Sequence, residues 1–149
     1  MTLIAAEQVA TRVFREAKVN VAWINCATAI PASQNPASCR KAVFPNYLQL
    51  RIAARPLTLS DAAFGVSYVS TEGVGCYSNI FFERVEDLHR TFNERSEVIL
   101  GHLMAHEIAH LLLGTNPHSV SGIMRHWYRE ELASADRGGL LFNGQESKS

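Results

Sequence analysis

The stretch "TFNERSEVILGHLMAHEIAHLLLG", residues 91 to 114, restricts the fold more than any other part of the chain. Wound as a helix at about 100° per residue, it carries apolar side chains around nearly its whole circumference. Such a helix is stable only when other elements cover it on every side, so the chain must build layers around it. Its single polar stripe holds His102, His106, Glu107 and His110. Thr91 and Glu94 have the spacing of a capping box at its start, and Gly114 is placed to stop it. The polar stripe also breaks the apolar run, so this is not a membrane span.

The covering elements are legible on both sides. Ala6, Val9, Ala10, Val13, Phe14 and Ala17 recur at helical spacing, which predicts an amphipathic helix over residues 3 to 17. "VNVAWIN" follows and is rich in β-formers, so a strand is expected there. In "YLQLRIA", Leu48, Leu50 and Ile52 alternate with Gln49 and Arg51, a second strand that Pro56 ends. "FGVSYVS" and "CYSNIFFERV" predict two more strands, joined by the glycine-bearing turn "TEGVG". The small residues of the first suit a sheet edge. "HWYREELASADRGG" predicts a short terminal helix stopped by Gly138 and Gly139, and residues 143–149 a polar, frayed tail. Without repeats or internal linkers, residues 1–149 are expected to form one α+β domain.

Composition sets limits on partners. A chain of 149 residues, 47% apolar, suffices for one core. Its 14 basic and 14 acidic residues balance and form no basic block. Neither nucleic acid nor an anionic membrane is therefore an expected partner. The opening "MTLIAAEQVATRVFREAKV" lacks the basic region and cleavage site of a signal peptide. That leaves a cytoplasmic protein, or one whose leader has been removed. Cys26 and Cys39 flank the turn-forming loop "ATAIPASQNPAS". A disulfide there would stabilise the fold by about 3 kcal/mol and imply an oxidising compartment, hence a secreted or periplasmic protein. The alternative is three reduced cysteines. Cys76 is left over as a buried thiol on either reading.

His106, Glu107 and His110 spell H-E-x-x-H. Residues four apart on a helix differ by about 40° in direction, so the two imidazoles can converge on one ion. Zinc suits imidazole and, in a catalytic site, keeps one position for water. The metal would bring that water's pKa to about 7 and polarise a substrate carbonyl. Glu107 flanks the pair, where it can act as general base and then pass the proton to the leaving amine. The four-letter pattern also arises by chance in many helices. Here, however, it lies on a buried helix, where two histidines and a carboxylate are costly without a partner. His102 lies two turns from His110, too far to share the ion, and is expected to pack or to support the site. His89 and His126 have no such neighbours and are expected at the surface or in structural roles.

With these residues in place, the chain resembles the metzincin clan of zinc peptidases, in particular small matrixin-like bacterial members. His106, Glu107, His110, Gly114, His118 and Met124 stand in the order of that clan's extended motif and methionine turn. The resemblance implies a zincin fold: a twisted mixed sheet, an N-terminal helix, a central active-site helix and a short C-terminal helix. It implies a monomeric endopeptidase with one catalytic Zn2+, acting on peptide or protein. An extended substrate would add to the edge strand within residues 64 to 70, with Gly65, Val66 and Ser67 as contacts. Residues 125 to 128 would shape the pocket beyond the scissile bond, and Tyr128 would donate to the oxyanion or anchor the last helix.

The pattern is also stretched. Gly114 comes four residues after His110 where the clan has three, and His118 comes eight after it where the clan has six. Asn116 stands at the clan's third-ligand position, but a neutral amide is a poor zinc donor. His118 is the expected third ligand, because a left-handed Gly114 lets the chain reverse and three residues span roughly 10 Å. Two other readings stay open. In a thermolysin-like peptidase Glu130 or Glu131 would supply the third ligand, and an inactive relative would use the metal only to stabilise a peptide-binding module.

Overall fold

A computed structural model describes residues 3–27, 30–41, 47–54, 64–70 and 72–114. The expected terminal helix, the tail, Pro56, His126 and the Cys76 side chain lie outside the described residues. The elements are α1 (Leu3–Glu16), a 3-10 turn (Ala32–Gln34), α2 (Ala37–Lys41), β1 (Gln49–Ala53), β2 (Gly65–Val69), β3 (Gly75–Phe81), α3 (Phe82–Phe92) and α4 (Ser96–Leu113). The class is α+β. Among the described residues no helix is long and apolar enough to cross a membrane.

Helix α4 is the central element. Strands β2 and β3 and helices α1 and α3 all pack against it. It is buried from Val98 to Leu111, as its all-round apolar sequence requires. The α1 crossing is close because position 101 is glycine; a β-carbon there would strike the Val9 side chain and the Ala6 carbonyl. Ala6, Ala10, Val13 and Phe14 of α1 meet Ile99, Leu100, Leu103 and Met104 in the main core. Burying one such aliphatic or aromatic side chain contributes about 1.5–3 kcal/mol.

The sheet runs β1-β3-β2, with β1 parallel and β2 antiparallel to β3. It is therefore mixed, and among the described residues β2 is an edge strand. Leu50 and Ile52 turn toward the core, as the alternation in β1 predicts, while Leu48 stays exposed. Ser67 and Ser78 are paired across β2 and β3 and face inward. Tyr68 and Tyr77 pair on the outer face, stacked with centroids 4.4 Å apart.

Three expectations are corrected. Residues 19 to 25 form no strand, although Val19, Val21 and Trp23 do pack on the core. A strand needs a ladder partner, and this segment is held instead by the Val19 N–H on the Phe14 carbonyl at 2.9 Å and by Trp23 Nε1, which donates to Thr11 Oγ1 at 2.8 Å. The strand expected through Val85 ends at Phe81, and α3 begins at Phe82. Val85 and Leu88, three apart, give that helix its buried face, and Glu83, Asp87 and Arg90 its wet one. Finally, Thr91 and Glu94 form no capping box. Thr91 belongs to the end of α3, Asn93 stops that helix in the left-handed region (φ 53°), and α4 starts afresh at Ser96.

Cys26 and Cys39 are joined by a disulfide, with Cα atoms 5.9 Å apart. Within that loop the Asn35 amide closes a two-way bridge to the Ala27 backbone, accepting at 2.7 Å and donating at 2.8 Å. A cross-link of this loop length removes about 3 kcal/mol of unfolded-chain entropy.

Candidate metal and acid–base site

The last two turns of α4 carry the site. Helix geometry brings His106 and His110 to one side, and their rings meet edge to face with centroids 4.8 Å apart. The two Nε2 atoms are 3.2 Å from each other. Nitrogens sharing one tetrahedral zinc at about 2.0–2.1 Å stand roughly 3.3 Å apart, so the spacing fits such an ion. Both rings are buried, at 5% and 3% exposure. Two imidazolium cations could not share this space, so at least one ring is neutral, the form that binds metal. Among the described residues no three His, Cys, Asp or Glu side chains come together as a ligand set. The pair thus supplies two donors. His118, Met124, Tyr128, Glu130 and Glu131 lie outside the described residues.

His102 shares the stripe but not the site. It is 2% exposed, and its Nδ1–H donates to the Val98 carbonyl of its own helix at 2.8 Å. His89, at the surface, likewise donates from Nδ1 to the Glu94 carbonyl at 2.6 Å.

Glu107 leaves the helix about 60° from His110 and about 100° from His106. Its side chain turns under β2. Ser67 Oγ donates to Oε2 at 2.5 Å, and the Ser78 hydroxyl is 2.6 Å from Ser67 Oγ. Both hydroxyls also approach the Glu107 backbone carbonyl, at 3.0 and 3.2 Å. Burial pushes the carboxyl up to about 7, while the Ser67 hydrogen bond pulls it down. A carboxylate poised near neutrality suits proton transfer in both directions.

The substrate contacts expected on β2 divide between its faces. Val66 is half-buried, and the Ser67 side chain points inward to Glu107, away from any ligand laid along the outer face. Gly65 faces the same carboxylate, since a β-carbon there would sit 2.9 Å from Oε1. The inward partners of Glu107 were missed by sequence reasoning. A signal existed, because Gly65, Ser67 and Ser78 are small or polar where a buried strand face ordinarily holds aliphatic residues.

Strand β2 is tied to the helix end by glycines. Gly73, at φ 79°, occupies the β2–β3 turn and packs on Gly114, which ends α4 at φ 65° with its N–H on the His110 carbonyl. A β-carbon on Gly114 would overlap the Gly73 carbonyl, and one on Gly75 the Leu111 backbone. Backbone thus meets backbone beside the histidine pair, which holds the hairpin in place over Glu107. Comparison with protein-family models, curated proteins and solved structures gives no match for this chain.

Proposed function

We propose that the chain is a zinc-dependent endopeptidase of the metzincin kind. The observation that carries this reading is the 3.2 Å approach of His106 and His110 Nε2, with Glu107 on the next position of the same helix. His106 and His110 would hold the ion, with His118 as third protein ligand and Met124 beneath. When bound, zinc supplies Lewis acidity toward a substrate carbonyl and toward water. Glu107, carried near neutrality by its buried setting, accepts a proton and returns one to the leaving amine. The edge of β2 would take an extended peptide by strand addition. The inner-face bonds of that strand keep it rigid against the helix that carries the base. The Cys26–Cys39 disulfide favours an oxidising, extracytoplasmic location.

The test is a metal assay paired with a cleavage assay. Purified protein is expected to hold about one zinc per chain. It should also cleave members of a mixed peptide library, stop on chelation and recover on zinc addition. Folded protein that takes up no zinc in native mass spectrometry would end this reading.

A further inference from the structure

We infer that Ser67 is the positioning residue for the Glu107 carboxylate, with the inward face of β2 as its cradle. The inference rests on the hydrolase reading and adds to it a residue forty positions from the helix motif. Three observations converge. Ser67 Oγ is 2.5 Å from Oε2, Ser78 Oγ is 2.6 Å behind it, and all three groups are buried. Gly65, two residues along the same face, leaves just the space that the other carboxylate oxygen fills; a β-carbon there would lie 2.8 Å from the Asn79 carbonyl and 2.9 Å from Oε1. Both serine oxygens also lie close to the Glu107 backbone carbonyl, at 3.0 and 3.2 Å, so the hydroxyl pair sits between that residue's side chain and its main chain.

Proton counting gives the arrangement a direction. A hydroxyl has one proton, and an ionised carboxylate only accepts. Ser67 therefore donates to Oε2, and Ser78 donates to Ser67. Oε2 takes the Ser67 hydrogen bond and Oε1 lies beside the bare Gly65, so these two contacts set the orientation of the carboxylate that is to take the transferred proton. Without the Ser67 hydroxyl the carboxylate regains rotational freedom about its last bonds, and a displacement near 1 Å costs about 100-fold in rate.

The experiment is steady-state kinetics on the library peptide that the wild type cleaves best, with zinc-loaded protein. Ser67→Ala should lower kcat about 10- to 100-fold and leave KM and zinc content unchanged. In a Glu107→Gln background the same substitution should add almost nothing, because the two residues act as one unit. Ser67→Cys, close in volume and a weak donor, should recover part of the loss, and it replaces Ser67→Ala if that variant fails to fold. An active wild type with full kcat in the Ser67 variants overturns the assignment alone, as do effects that multiply independently with Glu107→Gln. A zinc-loaded wild type that cleaves nothing overturns the hydrolase reading and this assignment together.

Discussion

Helix α4 carries three buried histidines at four-residue spacing, and its two halves use them differently. In the first half, His102 follows the core residues Ile99 and Leu100 along the chain, and its Nδ1–H donates to the carbonyl one turn back. In the second half, His106 and His110 turn Nε2 toward each other, and Glu107 between them reaches a strand. Burial is nearly equal in all three, at 2%, 5% and 3%. Spacing and burial alone therefore do not distinguish the three. What separates the halves is the neighbour: α1, apolar and close over Gly101, against a β2 face of glycine and serine.

The sharpest way to break this division is at Glu107. Glu107→Gln should retain zinc and fold yet lose hydrolysis by about 10²–10⁴-fold, the usual contribution of a general base. Turnover near the wild-type rate would assign the base elsewhere. A metal titration tests the histidines themselves. His106→Ala and His110→Ala should each abolish stoichiometric zinc binding, whereas His102→Ala should bind zinc normally. In the same assay His118→Ala should weaken binding sharply, and Glu130→Ala and Glu131→Ala should not. The reverse pattern would place the chain with thermolysin-like peptidases.

Smaller effects sharpen the contrast. In metal-free protein, the Glu107 carboxyl stands at about 7 against an ordinary 4.5, so the folded state holds its proton more tightly than the unfolded state. Stability from this group is full below pH 4.5, falls as pH rises, and is lost above 7. Glu107→Gln removes that penalty while other groups titrate alike in both proteins. The variant should be more stable than the wild type at pH 8, by on the order of 3 kcal/mol, with the ionisation advantage gone at pH 4. Denaturant melts at the two pH values measure it, and a pH-independent difference would contradict the buried setting. The smallest effect belongs to the scaffold half. Gly101→Ala forces a methyl into Val9 and Ala6 and should cost about 1–3 kcal/mol with zinc content unchanged. Loss of zinc in that variant would show the two halves to be coupled.

Local geometry made much of this readable from residues alone. The buried helix and its stop at Gly114 follow from circumference and from glycine's freedom at positive φ, and the β1 alternation follows from the two-residue pleat. The convergence of His106 and His110 needs only the helical repeat. Where the reading failed, a distant partner or a competing local signal decided. Residues 19 to 25 have strand composition without a ladder, and Phe81 and Phe82 continue an apolar run in which the backbone changes from strand to helix. Asn93 cuts a stretch that periodicity alone joins into one helix.

One buried helix carrying a histidine pair with a carboxylate beside it is written in the residues, because those relations lie within two turns of backbone. What that carboxylate touches depends on the packed fold. Ser67 and Glu107 are forty residues apart, and nothing in either segment dictates their meeting. It follows from β2 pairing antiparallel with β3 in a register that sets Ser67 against Ser78. It follows equally from the contacts of Gly73 and Gly75 with the end of α4, which bring that strand face down onto the helix. Burial then lifts the carboxyl toward neutrality, a property of the packed protein and not of any residue in it.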